Sequence, residues 1–269
     1  MQSTGGFTML KSLLEYKDYI IANAIGELKF RYAGSSMGFF WNILNPLFQI
    51  LVYTYVFSNI MKAKLNSLES TGSFSLYLCA GMFAWLAFQE CINRGTNTFI
   101  ENSSFLKKLP VPEIVFLAQK ALSTFFSCVI NYVLIFVYGI IILKSISIYW
   151  VLVPIILILF ILFSFGVSIF LSTLNVFFRD TVQIVGVLMM IWMWITPIVY
   201  VREILPDNFV GLLNFNVAVP YINALQQIIV FGKVPPALDF FKMFIITALS
   251  IVIGYIFLKK YEQEIRDQI

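Results

Sequence analysis

The residues of this chain that could carry out acid–base or metal chemistry are few. Glu203 and Asp207 are separated by four positions, a spacing that brings two carboxylates onto one face of a helix. We interpret this pair as solvated acids in a polar segment between apolar runs. The sequence has no His, which excludes imidazole-based acid–base catalysis and most zinc sites.

The three cysteines and the glycines also lack a chemical pattern. Cys79, Cys91 and Cys128 lie in or beside apolar stretches at spacings that suit neither a metal site nor a disulfide framework, so we predict small buried side chains. The string most similar to a phosphate-binding loop, residues 231–234, leads into two prolines instead of ending in Lys-Ser or Lys-Thr. The sequence therefore predicts neither an enzyme nor a bound metal or cofactor.

Aromatic and amide side chains offer a different kind of chemistry. Aromatic faces stack on sugar rings, and amides hydrogen-bond to hydroxyl groups without adding a fixed charge. These side chains are concentrated in two apolar segments: Trp41, Asn42, Asn45, Gln49, Tyr53 and Tyr55 in the first, and Trp192, Trp194 and Tyr200 in the second. Two interpretations remain open, a path for carbohydrate and an aromatic belt at the membrane–water interface.

The composition indicates that these residues are positioned within a membrane. Of the 269 residues, 60% are hydrophobic and 12% are charged, and the mean hydropathy is +0.88. A soluble domain carries roughly 25% charged residues. Solvated enzymes, nucleic-acid-binding proteins and disordered chains are therefore excluded.

Uncharged runs predict an all-α membrane protein with six transmembrane helices, because about 20 apolar residues cross the hydrocarbon core. The predicted spans are residues 37–60, 72–90, 114–143, 149–177, 181–201 and 239–258. The uncharged stretch 208–232 is interrupted by Pro220 and by several Gly, Asn and Gln residues. We predict re-entrant helices there, between spans five and six; a seventh span is the alternative.

Residues 1–36 are predicted to form a cytoplasmic amphipathic interface segment. Apolar residues recur at helical spacing from Leu10 to Leu28, and most charged residues of this stretch fall off that stripe. A helix of this kind lies along a membrane surface. The alternative is a solvated helix that packs against a soluble partner.

The distribution of basic residues predicts that both termini are cytoplasmic. Six spans place both termini on one side, and cytoplasmic segments carry the excess of Lys and Arg. The terminal side holds twelve of them: Lys11, Lys17, Lys29, Arg31, Arg94, Lys107, Lys108, Lys120, Arg179, Lys259, Lys260 and Arg266. The opposite side holds six: Lys62, Lys64, Lys144, Arg202, Lys233 and Lys242.

The predicted spans contain almost no ionisable residues. Glu90 and Arg94, at positions i and i+4 near a span end, are predicted to pair, and no carboxylate is available at the bilayer midplane. Proton- or sodium-coupled transporters usually need such groups. The sequence therefore argues against a secondary transporter.

Four motifs in order resemble those of polysaccharide-exporting ABC transporter permeases of the type-2 exporter class, whose members export O-antigen, teichoic acid or capsule. They are FRYAGSSMGFFWNILNPLFQILVYTYVF from Phe30, FLKKLPV from Phe105, NVFFRD from Asn175 and ITPIVY from Ile195. The resemblance extends over nearly the whole chain. One departure is that Asn216 and Pro220 precede an Arg-free helix, NALQQIIVFG, where the class often has an Asn-Pro pair followed by an Arg-containing helix.

The resemblance implies that residues 37–269 form the permease domain of a homodimer in the bacterial inner membrane. Two copies of a separate cytoplasmic ATP-binding subunit would bind ATP and magnesium and drive export of a lipid-linked glycan. The aromatic and amide residues above would then line the substrate path. A lipid or drug exporter of the same class and a non-transporting scaffold subunit are the alternatives.

The segment after the second predicted span is the expected docking site for the ATP-binding subunit. Residues 94–112 begin with a polar run and end in an apolar patch beside two positive charges, which suits a groove on a soluble partner. The predicted docking residues are Arg94, Phe105, Leu106, Lys107 and Lys108.

Overall fold

The computed structural model describes residues 5–60, 72–201, 206, 211 and 213–268. Within these ranges the regular structure is helical and contains no β-strand, which confirms the predicted all-α fold. The predicted loop cations Lys62 and Lys64, and the predicted acid pair Glu203 and Asp207, lie outside the described residues.

The described part of the chain forms ten α-helices, numbered in chain order. They are α1 (Gly5–Glu15), α2 (Lys17–Phe30), α3 (Trp41–Thr54), α4 (Ser73–Glu101), α5 (Ser103–Lys108), α6 (Glu113–Leu143), α7 (Val153–Phe177), α8 (Thr181–Ile195), α9 (Val219–Gln226) and α10 (Ala237–Gln268). Short 3₁₀-helices precede α3 (Gly38–Phe40) and α7 (Ile148–Leu152), and π-helices extend α3 (Tyr55–Ile60) and α9 (Gln227–Phe231).

Four of the described helices are long and apolar enough to cross a membrane. They are α4, α6, α7 with its 3₁₀ turn, and α10, which correspond to predicted spans two, three, four and six. The helical stretch from Gly38 to Ile60 coincides with predicted span one. The protein is therefore a multi-pass membrane protein.

Helix α4 corrects the predicted start of the docking loop. The second span was expected to end near residue 90, but α4 continues to Glu101 because its polar C-terminal part packs against α7. A Cβ atom on Gly95 would lie 2.5 Å from the Ser168 side chain, so Gly95 permits this close approach. Asn175 Nδ2 donates to the Thr96 carbonyl at 3.0 Å.

Helix α8 is shorter than the predicted fifth span of residues 181–201. The helix ends at Ile195, and the next residue, Thr196, adopts extended dihedral angles (φ −91°, ψ 132°). Pro197 causes this ending, because a residue before proline is disfavoured in the α region. The 15 residues of α8 span about 22 Å, which is less than the roughly 30 Å of the hydrocarbon core.

Helix α7 lies at the centre of the bundle and packs against α4 on one side and α10 on the other. The contact with α10 is a direct approach of backbones: a Cβ on Gly166 would lie 2.5 Å from the Ile251 nitrogen, and one on Gly254 would lie 2.4 Å from the Gly166 oxygen. Small residues at such crossings let membrane helices pack closely where no hydrophobic effect drives them together.

The predicted interface segment forms two helices, α1 and α2, that meet at Tyr16. The sequence suggested one continuous amphipathic helix. One face of α2, with Ile20, Ala24 and Leu28, is buried, and α2 packs against α6. Leu10 and Leu14 on α1 are exposed. The apolar surface of this segment is therefore divided between contact with the chain itself and an outward face.

The two ends of the bundle differ in character. Near the chain termini, Arg266 on α10 binds Glu113 at the start of α6. At the opposite end, the Thr54 hydroxyl donates to the Tyr138 hydroxyl at 2.8 Å. There Gly232, with φ +59°, ends the π-helix after α9, in a conformation that glycine adopts readily, and it lies beside Ser147.

Candidate functional site

A cluster of charged side chains joins α2, α4 and α6 at the end of the bundle near the chain termini. Glu27 on α2 binds both Arg94 of α4 and Lys120 of α6, the latter at 2.8 Å. Glu90 binds Arg94 at 2.9 Å and Arg31, just after α2, at 2.5 Å. We call Glu27, Arg31, Glu90, Arg94 and Lys120, together with Glu101 at 3.5 Å from Lys120, the charge cluster. Its three acids and three bases balance.

The charge cluster is largely buried. The side chains of Glu27, Arg94 and Lys120 are each less than a quarter exposed. Burial alone raises the pKa of Glu27, but the hydrogen bond from Lys120 and the positive charges of Arg94 and Lys120 outweigh it, so its pKa lies below the ordinary glutamate value. Glu27 is therefore ionised at neutral pH and binds α2 to two long helices.

A second ion pair fastens the C-terminal helix to the same end of the bundle. Arg266 Nε donates to Glu113 Oε1 at 2.7 Å, and the Glu113 side chain is only 3% exposed. A nearly buried carboxylate needs such a partner, because removal of the arginine would leave the buried negative charge uncompensated. The pair links the start of α6 to the last turn of α10.

Sequence reasoning identified part of this arrangement. The predicted Glu90–Arg94 pair is confirmed. Lys120, which the sequence placed only among the basic residues of the terminal side, binds Glu27. The roles of Glu27 and Glu113 were missed, since their partners lie 67, 93 and 153 positions away along the chain.

The predicted docking residues lie in two different environments. Arg94 is within α4 and belongs to the charge cluster, and Leu106 is only 2% exposed. Phe105 is 54% exposed, and Lys107 and Lys108 are exposed beside it on the short helix α5. The surface available to a partner therefore consists of Phe105, Lys107 and Lys108, followed by the exposed Leu109.

Three of the predicted path residues stabilise the turn into α3. Trp41 Nε1 donates to the Ser35 hydroxyl at 3.0 Å. Asn42 is buried, and its amide donates to the carbonyls of Leu28 at 3.3 Å and Phe39 at 3.1 Å. Asn45 donates to the Tyr32 hydroxyl at 3.0 Å. The turn after α2 is thus held to the start of α3 by side-chain amides and an indole.

Trp192 on α8 is hydrogen-bonded to Asn216, which precedes α9. Its Nε1 donates to Asn216 Oδ1 at 2.9 Å, and the amide of Asn216 donates to the Thr196 hydroxyl at 3.0 Å. The Trp192 ring packs edge-on against the rings of Trp85 and Phe88, with ring centroids 5.7 Å and 5.5 Å apart, respectively. Trp85 lies about 18 Å along α4 from the first residue of that helix. The contacts of Trp192 with Trp85 and Asn216 are therefore deep in the bundle.

The other predicted path residues differ in exposure. Tyr55 is 61% exposed and Trp194 is 60% exposed, whereas Tyr53 and Gln49 are half-buried. The Tyr200 hydroxyl donates to the Trp194 carbonyl at 3.0 Å. Helix α3 packs against α4 and α6, and α8 packs against α4 and α7, so the two aromatic-bearing helices flank α4.

The cysteines agree with the sequence prediction. Cys79, Cys91 and Cys128 are buried free thiols, as expected for small buried side chains.

The apolar helices and the charged end of the bundle are those of a multi-pass membrane protein. The chain belongs to the ABC-2 type transporter family, whose model matches residues 19–230. It is therefore a membrane-spanning subunit of a transporter, and the resemblance inferred from the four motifs is confirmed.

Its relatives have consistent names. A protein of Klebsiella pneumoniae named O-antigen export system permease protein RfbA is 30% identical over 80% of this chain and 81% of its own length. A second Klebsiella pneumoniae protein of that name is 29% identical, over 74% of this chain and 75% of its own length. A Myxococcus xanthus protein of that name is 26% identical, over 85% of this chain and 86% of its own length.

Proposed function

We propose that this chain is the permease subunit of an ABC exporter that carries a lipid-linked, O-antigen-like polysaccharide across the bacterial inner membrane. The observation that carries the proposal is that three relatives, each matching at least 74% of this chain, share the name O-antigen export permease. The exposed aromatic rings of Tyr55 and Trp194 suit a sugar polymer, because stacking needs no fixed charge.

Six membrane crossings with a re-entrant segment are part of this proposal. Helix α2 binds Lys120 of α6 through Glu27, and the last turn of α10 binds Glu113 at the start of α6 through Arg266. The N-terminal helices and the C-terminal turn therefore contact the same part of α6, which agrees with an even number of crossings. Thr196, just after α8, and Asn216, just before α9, are hydrogen-bonded to each other deep in the bundle, so the start of α9 lies close to the end of α8. The helical stretch Val219–Phe231 then leads to Gly232 at the opposite end and is too short to span the membrane alone.

The functional unit that we propose contains two copies of this chain and two copies of a cytoplasmic ATP-binding subunit, which binds ATP and magnesium. Helices α3 and α8 expose rows of large apolar residues, among them Phe48, Leu51, Val187 and Ile191, and these faces are available to a second copy or to lipid. Closure of the ATP-binding subunits would reach the spans through α5 and through α2, which the charge cluster fastens to α4 and α6.

Deletion and complementation test the proposed substrate. In the bacterium that encodes the protein, loss of the gene is expected to remove polysaccharide from the cell surface while lipid-linked glycan accumulates inside, and the intact gene is expected to restore it. Unchanged surface polysaccharide, with a change in lipid or drug efflux, would favour the alternative exporter. A loss of assembly of other membrane proteins, with normal efflux, would favour a scaffold.

The topology predicts that the connection between α6 and α7 faces the outside. Ser145 is exposed in this connection. With Cys79, Cys91 and Cys128 replaced by Ala, Ser145→Cys is expected to react with a membrane-impermeant maleimide added outside the inner membrane, and Ser103→Cys at the start of α5 to react only after the membrane is opened. The reverse pattern would invert the proposed orientation.

Docking is expected to depend on the exposed surface of α5. Phe105→Asp, and the double change Lys107→Glu with Lys108→Glu, should reduce co-purification of the ATP-binding subunit at least fivefold without preventing membrane insertion. Lys260→Glu on α10 is the matched charge-reversal control and should leave recovery unchanged. Normal recovery of the subunit with both docking variants would contradict the assignment.

A further inference from the structure

An apolar groove lies on the side of the bundle where the interface helices meet α6 and α7. It encloses about 410 Å³, and its wall on the α1–α2 side includes Leu13 and Ile20. On the α6 side the groove is lined by Ala118 and Ala121, one helical turn apart, whose side chains are only methyl groups and leave space for a ligand. The exposed Ile158 of α7 marks its outer rim. The groove therefore opens sideways from the bundle, towards the surrounding bilayer.

One charged residue borders the groove. Lys17, at the start of α2, is its single charged lining residue. The described part of the chain gives Lys17 no ion-pair partner, whereas the neighbouring Lys11 is paired with Glu15 at 3.7 Å. Asp18 is exposed but does not line the groove. An exposed basic residue thus borders an otherwise apolar cleft.

The length of the groove along α6 fits within one leaflet of a bilayer. From Ala118 to Phe125, the groove follows α6 for about 10 Å, at 1.5 Å per residue. One leaflet provides roughly half of the 30 Å hydrocarbon core. A basic residue at the membrane surface next to an apolar slot of this depth attracts an anionic headgroup while the slot accepts the attached acyl chain.

We propose that this groove binds one phospholipid with an anionic headgroup, its phosphate at Lys17 and one acyl chain along α6 and α7. The lipid would fill the space between the interface helices and the two spans, and its acyl chain would pack against α1 and α2 on one side and against α6 and α7 on the other. This inference needs only that α6 and α7 lie in a membrane, and it holds whatever the exported substrate is.

Photolabelling in nanodiscs tests the proposal. The purified protein is placed in phosphatidylcholine bilayers that contain a few per cent phosphatidylglycerol carrying a diazirine on one acyl chain; it is then irradiated, and the labelled peptides are identified by mass spectrometry. We expect labels concentrated on residues 118–125 and 158–165. Labels spread evenly over the lipid-facing positions of α6 and α10 would overturn the proposal.

Substitutions separate the acyl-chain slot from the headgroup site. Ala121→Trp, or the milder Ala118→Leu if the first variant does not fold, should reduce labelling of the groove at least fivefold by filling that space. Val137→Trp, at an exposed position towards the other end of α6, is the size-matched control and should leave it unchanged. Unchanged labelling in a folded groove variant would contradict an acyl chain in this position.

Lys17→Gln should lower labelling by the phosphatidylglycerol probe to the level given by a phosphatidylcholine probe with the same diazirine chain. Lys11→Gln is the control for a nearby surface charge. Equal labelling by the two probes in the unmodified protein would overturn the assignment of an anionic headgroup.

Discussion

Glu27→Lys is expected to reduce surface polysaccharide per assembled complex at least tenfold while the ATP-binding subunits still hydrolyse ATP. The change places a third positive charge between Arg94 and Lys120, where Glu27 now binds both. Breaking a largely buried charged contact of this kind costs about 3 kcal/mol or more. Helix α2 should then separate from α4 and α6, so that ATP-driven closure no longer moves the spans.

Two further variants separate coupling from folding. Glu15→Lys, on the exposed part of α1, makes the same charge change away from the charge cluster and should leave export unchanged. Glu27→Lys combined with Lys120→Glu restores one opposite-charge pair and should recover part of the export. Export that stays proportional to the amount of assembled complex in every variant would show that Glu27 contributes only to stability.

Tyr55→Ala and Trp194→Ala are expected to lower surface polysaccharide several-fold at constant complex abundance and constant ATPase rate. Both rings are mostly exposed, so removing either should cost little stability. A polymer that slides must leave each contact as easily as it enters, and repeated stacking contacts worth about 1 kcal/mol per ring allow this. The measurement is surface polysaccharide per assembled complex, because a purely structural belt would change abundance instead.

Matched positions sharpen this test. Phe244→Ala removes a similarly exposed ring from α10 and should leave the ratio of polysaccharide to complex unchanged. Trp192→Ala should instead lower the abundance of the complex, because Trp192 packs on Trp85 and hydrogen-bonds to Asn216. A constant ratio in both Tyr55→Ala and Trp194→Ala would remove these rings from the substrate path.

The sequence was informative where one local property decides the structure. A run of about 20 uncharged residues has to be a helix in lipid, since unpaired backbone groups are costly there, and so predicted spans two, three, four and six correspond to long helices. The pair Glu90–Arg94 was predicted for the same kind of reason, because residues four apart on a helix are neighbours. The path and docking assignments rest on residue type and resemblance, and they remain predictions.

Helix ends were less predictable because packing competes with local polarity. Residues 94–101 contain several polar residues and were predicted to belong to the docking loop. Helix α4 nevertheless continues through them, because Gly95 and Thr96 contact Ser168 and Asn175 of α7. Helix α8 also ends earlier than predicted, at Ile195 instead of residue 201. Pro197 is a local signal for this ending, but the prediction used only the length of the apolar run.

By itself, the sequence determined that the chain is helical, membrane-embedded, free of imidazole chemistry and related to ABC permeases, because composition, run length and short motifs are properties of neighbouring residues. Only the tertiary structure decided which residues act together. Glu27 meets Arg94 and Lys120, Glu113 meets Arg266, and Trp192 meets Asn216, all across separations that no local pattern encodes. Membrane helices pack through specific side-chain contacts and close backbone approaches, so these partners are defined only once the helices are assembled.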